Sequence, residues 1–154
     1  MHTVGSATSE EIDIIGGREL ARLCYSCGIC VGDCPAARFS DDFNPRQIFL
    51  RVCLGIGREL VGRDSPIWKC TTCYTCHERC PAGVKPLEVI IALRNLSFRE
   101  GTSPEGVANI RRSVIEKGVA GALTRRALEL REKMGLPAAE PGDAKELGLI
   151  TGHE

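Results

Sequence analysis

Apolar residues recur at helical spacing along this chain, and strand-type alternation is hard to find anywhere. Asn44 is a good helix N-cap and Pro45 suits the first helical position. Phe49, Val52, Cys53, Ile56 and Leu60 then fall on one face, which predicts a helix stopping near Gly62. Gly55 and Gly57 work against it, each costing roughly 1 kcal/mol in a helix interior. Pro86 opens a second helix with Leu87, Ile90, Ile91, Leu93 and Leu96 at its apolar positions. Ser103-Pro104-Glu105 is a third start signature, for a helix running to about Lys117. Gly118 and Gly121 bracket a break before a further amphipathic helix from Ala122 to Met134, with Leu123, Ala127, Leu130 and Met134 on one face. A short helix is expected from about Arg18 to Leu23. The last twenty residues hold two prolines and four glycines and read as an extended arm. The expected class is mainly α.

Composition narrows the functional classes. The 154 residues are 43% hydrophobic but only 5% aromatic, so few large side chains anchor a core. Lys+Arg and Asp+Glu both count 20, which lacks the basic surplus of a nucleic-acid binder. The longest uncharged apolar run in a helical context, Val89 to Leu93, is far short of a membrane span. No basic start followed by an apolar stretch marks a secretory signal, and Glu10, Glu11 and Asp13 argue against a transit peptide. The expectation is a cytoplasmic protein with no membrane or nucleic-acid partner. Nine cysteines in a reducing compartment favour metal ligation, and an odd number suits disulfide pairing poorly.

Eight of the nine fall into two copies of one motif. Cys24-Tyr-Ser-Cys27-Gly-Ile-Cys30-Val-Gly-Asp-Cys34-Pro35 and Cys70-Thr-Thr-Cys73-Tyr-Thr-Cys76-His-Glu-Arg-Cys80-Pro81 both read C-x2-C-x2-C-x3-C-P, displaced by 46 positions. The similarity continues into Asn44-Pro45 and Lys85-Pro86, with about five extra residues in the first copy. Such a repeat implies pseudo-symmetric halves sharing one core.

Two-residue spacers wrap three thiolates around one compact [4Fe–4S] cluster and aim backbone N–H groups at its sulfurs. In this motif the fourth cysteine ligates the other cluster. The expected assignment is therefore crossed: Cys24, Cys27, Cys30 and Cys80 for one cluster, and Cys70, Cys73, Cys76 and Cys34 for the other. Crossed ligation ties the halves together and makes cluster binding part of the folding free energy. Structural zinc instead shows two separated ligand pairs. No catalytic residue is expected on the chain.

The remaining candidates are weaker. Cys53 reads as a buried thiol filling apolar space. His77 reads as a solvated side chain, with a hydrogen bond near the cluster as the rival. Lys69, Arg79 and Lys85 read as surface charge or as a greeting for an acidic partner. Trp68 reads as a lid over a cluster edge. From Arg94 to Lys133 nine basic residues face five acidic ones, a solvated helical face or a docking face for a partner protein.

The two motifs on a helical scaffold resemble the α-helical ferredoxin fold. The lead-in Gly17-Arg18-Glu19-Leu20-Ala21, Cys24-Tyr-Ser-Cys27-Gly-Ile-Cys30, Trp68-Lys69-Cys70-Thr-Thr-Cys73-Tyr-Thr-Cys76 and the overall length resemble the C-type iron–sulfur subunits of the soluble, methanogen-type heterodisulfide reductases, over roughly residues 17 to 135. That resemblance implies a non-catalytic electron-transfer component carrying two [4Fe–4S] clusters. It would relay electrons from the flavin-containing subunit to the catalytic CCG-domain subunit, which reduces the coenzyme M–coenzyme B heterodisulfide in methanogenesis, within an assembly that includes a hydrogenase or formate dehydrogenase. The chain contains no Cys-Cys-Gly and no G-x-G-x-x-G flavin fingerprint, which fits the relay and neither partner. The alternatives are the relay of another CCG-domain oxidoreductase and a free two-cluster ferredoxin. The implied organisation is an N-terminal segment (1–16), a di-cluster domain (17–100), C-terminal helices (101–134) and an extended arm (135–154).

Overall fold

The computed structural model describes residues 22–121, 123–138 and 142. All of the helix expected at Arg18–Leu23 except Arg22 and Leu23, and most of the expected C-terminal arm, lie outside the described residues. Those described form helices and loops, with no strand among them. They fall into two compact units divided between Pro104 and Glu105.

In the first unit the helices are α1 (Ile29–Gly32), α2 (Pro35–Phe39), α3 (Pro45–Cys53), α4 (Thr75–Glu78) and α5 (Pro86–Arg99), with 3-10 turns at Gly57–Leu60 and Pro66–Lys69. The repeat is visible in the backbone. α4 begins and ends 46 positions after α1. Gly32 N donates to Gly28 O at 3.0 Å, and Glu78 N to Tyr74 O at 3.0 Å; Asp33 N to Ile29 O and Arg79 N to Thr75 O are both 3.1 Å. α1 lies against α4, and α3 against α5.

The longer pair builds the core. The Asn44 side chain accepts a hydrogen bond from Gln47 N at 3.0 Å and Pro45 follows it, as the sequence led us to expect. Phe43, Ile48, Phe49 and Val52 meet Val84, Val89, Ile90 and Leu93, with Leu60 and Ile67 closing the cluster. Phe49, Ile67, Leu87 and Ile90 are at most 1% exposed. Burial of that extent stabilises by about 1.5–3 kcal/mol per large side chain.

The first long helix is shorter than its hydrophobic pattern. α3 ends at Cys53, because Gly55 adopts φ 81° and closes a Schellman stop, with Gly55 N on Val52 O (3.0 Å) and Ile56 N on Arg51 O (2.9 Å). Leu60 still reaches the core through the 3-10 turn, whereas Ile56 is exposed. Gly57 lies so close to α3 that a Cβ there would sit 2.6 Å from Val52 Cγ2. α5 ends in the same way at Gly101, where Thr102 N bonds Ser97 O at 2.9 Å and the buried Ser97 hydroxyl meets Thr102 Oγ1 at 3.0 Å.

The second unit contains α6 (Glu105–Lys117) and α7 (Arg125–Lys133). α7 starts three residues later than the apolar pattern suggested, because Thr124 Oγ1 caps Ala127 N at 3.2 Å. Neither helix carries a buried residue.

Candidate iron–sulfur centres

The short helices position the cysteines. Cys30 lies within α1 and Cys76 within α4, Cys34 follows α1, and Cys80 follows α4. Because α1 abuts α4, the fourth cysteine of each run is carried toward the opposite motif. Cys24, Cys27, Cys30 and Cys80 line one recess, together with Ile29, Phe49, Ala82 and Val84; it holds about 410 Å³ of empty space, part of it open to solvent. Cys34 does not line it. Cys34 is instead an electrostatic neighbour of Cys70 and Cys76, alongside Cys73. Cys34 and Cys76 are buried, whereas Cys27 and Cys73 are exposed.

The thiols perturb one another within these groups and, between Cys30 and Cys76, across them. Burial pushes the Cys30 thiol up, and Cys24, Cys80 and Cys27 add to the effect. Burial pushes Cys76 up to about 12, reinforced by Cys70, Cys30, Cys34 and Cys73. Burial likewise raises Cys70, while the Arg94 guanidinium opposes the rise. Cys73 moves down, because the Thr75 hydroxyl and backbone N–H hydrogen-bond to its sulfur. Crowded thiols resist ionisation unless a cationic metal centre accepts the thiolates.

The backbone fits such a centre. Ser26 (φ 55°) and Gly28 (φ 80°) in the first loop correspond to Thr72 (φ 56°) and Tyr74 (φ 61°) in the second, each 46 positions on. Left-handed residues among right-handed ones turn successive N–H groups toward one concave side, the form of backbone nest that accommodates iron–sulfur clusters. A tyrosine at positive φ is an uncommon conformation, maintained here by the α4 turn that starts on its carbonyl. Among the described residues, no three His, Cys, Asp or Glu side chains converge tightly enough to hold a single metal ion. A four-iron cube spreads its thiolates farther apart than one tetrahedral ion does.

Sequence reasoning missed Arg94. From the middle of α5 it donates Nε and Nη2 to Ile67 O (3.0 and 2.8 Å), Nη2 to Cys70 O (2.5 Å) and Nη1 to Thr72 Oγ1 (3.3 Å). It also stacks 5.5 Å from the Trp68 ring centre. It thus clamps the loop that leads into the second motif. Arg46 does this more lightly for the first, donating to Ser26 O at 2.9 Å. No local sequence signal marks either arginine as a clamp.

The structure also places the weaker candidates. Trp68 packs edge-on to Phe98 at 5.6 Å and its indole N–H bonds Gly62 O at 2.8 Å, so it anchors the second loop to α5. His77 is partly buried: its Nδ1 is enclosed 3.7 Å from Glu88 Oε1, and its ring lies 5.9 Å from that of Tyr74. Lys69, Arg79 and Lys85 are all engaged within the chain, with Asp42 at 2.6 Å, Asp33 at 2.6 Å and Glu88 at 3.4 Å. Asp33 and Arg79 occupy corresponding places in the two copies and pair beside Cys34 and Cys80. Cys53 is half-buried next to Cys24, and burial pushes its thiol up to about 11, with Cys24 adding to it.

Comparison with known proteins agrees with this geometry. Residues 20–84 match the 4Fe-4S dicluster domain family. The chain is 40% identical over 120 residues to the C 2 iron–sulfur subunit of the CoB–CoM heterodisulfide reductase of Methanocaldococcus jannaschii, covering 78% of this chain and 63% of that one. It is 38% identical over 128 residues to the C2 subunit of the H2/formate:CoB–CoM heterodisulfide,ferredoxin reductase of Methanococcus maripaludis, covering 82% and 68%. It is 35% identical over 133 residues to the C subunit of the H2:CoB–CoM heterodisulfide,ferredoxin reductase of Methanothermobacter marburgensis, covering 86% and 70%. The chain spans just over three fifths of the relatives from M. jannaschii and Methanopyrus kandleri, at 63% and 62% of their lengths.

Fold and site together define a helical carrier of two [4Fe–4S] clusters. Within that class, the chain belongs to the family of C-type iron–sulfur subunits of heterodisulfide reductases.

Proposed function

We propose that this chain is the electron relay of a cytoplasmic heterodisulfide reductase, with Cys24, Cys27, Cys30 and Cys80 holding one cluster and Cys34, Cys70, Cys73 and Cys76 the other. The observation that carries the ligand assignment is the recess that gathers Cys80 with the first three cysteines of the other motif and leaves Cys34 out. Each cluster, when bound, accepts and releases one electron at a time. The protein's contribution is to fix the thiolates, direct backbone N–H groups at the sulfurs and keep the two sites adjacent through Cys30 and Cys76, which are electrostatic neighbours across α1 and α4. No catalytic side chain is assigned to this chain.

The partners follow from the family. The flavin-containing subunit would deliver electrons, and the CCG-domain catalytic subunit would use them to reduce the coenzyme M–coenzyme B heterodisulfide. The names of the M. maripaludis and M. marburgensis relatives support an upstream hydrogenase or formate dehydrogenase. Among the described residues no helix is long and apolar enough to cross a membrane, which supports the cytoplasmic reading. Anaerobic purification of the native chain tests the proposal. Recovery with a flavoprotein and a CCG-domain protein, in an assembly that reduces the heterodisulfide, is expected. Recovery only as a lone carrier, or with a different CCG oxidoreductase, would overturn it.

A further inference from the structure

The two cysteine runs are alike in spacing, but what surrounds them differs. Aligning Asn44-Pro45 with Lys85-Pro86 pairs Cys53 of α3 with Arg94 of α5. Each of these faces the first cysteine of its own motif: Cys53 lies beside Cys24, and Arg94 beside Cys70. A thiol thus occupies in one half the place that a guanidinium occupies in the other. The difference extends to the loops. Thr75 Oγ1 lies 3.4 Å from Cys73 Sγ, and the corresponding residue beside the first motif is Ile29, which lines the recess. Thr72 accepts a bond from Arg94, and its counterpart Ser26 offers only its carbonyl to Arg46.

An added electron makes a cluster site more negative. A fixed cation in a low-dielectric setting and hydrogen bonds to the sulfurs both favour that state. We propose that Arg94 separates the two sites in reduction potential, making the Cys34/Cys70/Cys73/Cys76 site the more easily reduced and giving the relay a downhill direction toward it. Arg94 is suited to this because its fork is held by two carbonyls and a hydroxyl and its face by Trp68, which together fix the position of a partly buried charge. Arg46 also lines the first recess, but its hydrogen bond is to a single carbonyl, so its charge is held less firmly and it is the natural control.

This inference rests on the ligand assignment above, and the test keeps the two apart. The holo-chain is titrated anaerobically while the electron paramagnetic resonance of each reduced cluster is followed. Signals are assigned by their loss in Cys27→Ser and in Cys73→Ser. Iron analysis accompanies every variant; wild-type protein without two clusters would refute the ligand assignment itself. With two clusters present, the signal lost in Cys73→Ser is expected to have the higher midpoint. Arg94→Gln should move that midpoint negative, leave the other in place and so narrow the gap. Arg94→Lys should restore most of the shift, Arg46→Gln should move the first site by less, and Cys53→Ala should change neither. The proposal is overturned if the Cys73 signal has the lower midpoint, if Arg94→Gln leaves the gap unchanged, or if Arg46→Gln has an equal effect on its own site. Loss of the second cluster from both Arg94 variants would also overturn it, because Arg94 would then be a structural anchor.

Discussion

Replacing Cys34 by alanine tests the crossed arrangement with two effects of very different size. Cys34 is 7% exposed and packs against the core cluster, so truncation removes buried apolar contact in any event. That loss is about 1 kcal/mol for a group of this size. If Cys34 also closes the Cys70/Cys73/Cys76 site, a far larger quantity is at stake, because structural metal binding contributes on the order of 10 kcal/mol to folding. The metal effect should dominate: iron should fall from about eight to about four atoms per chain, with the midpoint of thermal unfolding sharply lowered. Cys53→Ala is the matched control, since it removes the same atom from a half-buried site outside both quartets. It should keep both clusters and cost about 1 kcal/mol or less. The assay is iron content with electron paramagnetic resonance of the reduced protein. The expected result is loss of the signal that Cys73→Ser removes and survival of the one that Cys27→Ser removes. Loss of the Cys27 signal instead would show that each motif closes its own cluster. Retention of both would reduce Cys34 to a packing residue.

Three further outcomes follow from particular contacts. Gly28→Ala should destabilise by about 1–2 kcal/mol, although nothing lies within 4 Å of the added Cβ, because its φ is 80°; a neutral result in thermal unfolding would show that the loop does not need the left-handed turn. Gly57→Ala should cost about 1–3 kcal/mol through its 2.6 Å approach to Val52 Cγ2, and Val52→Ala in the same chain should recover part of it in a double-mutant cycle; strict additivity would contradict the packing account. Cluster uptake by the metal-free chain should strengthen as pH rises from 7 toward 9. Burial holds Cys30, Cys70 and Cys76 above the ordinary thiol range, so these thiols are protonated at neutral pH and must release protons on loading. Uptake independent of pH, measured by absorbance during anaerobic reconstitution, would rule this out.

The repeat was legible because it is local. A 46-position offset in the cysteines reappears as paired left-handed residues and paired short helices, and covalent spacing alone determines those. Pro45 and Pro86 announced their helices for the same reason: φ restriction and a missing N–H act at one position. The end of α3 was misjudged, because Leu60 keeps helical spacing from Val52 and yet reaches the core through a separate 3-10 turn after Gly55. Apolar periodicity records which residues are buried, not whether the helix between them is continuous. Arg94 was hidden for a further reason. In sequence it is one more cation on a helix, and its role appears only when α5 brings it against the Cys70 loop. His77 is similar: its Nδ1 meets Glu88 only because α5 packs beside α4.

The most direct measurement of the central claim is the iron and acid-labile sulfide content of the full chain isolated without oxygen. Two cubane centres call for about eight of each per polypeptide and a brown protein. A chain that is properly folded yet colourless and free of iron, or one that carries zinc in its place, would contradict the account.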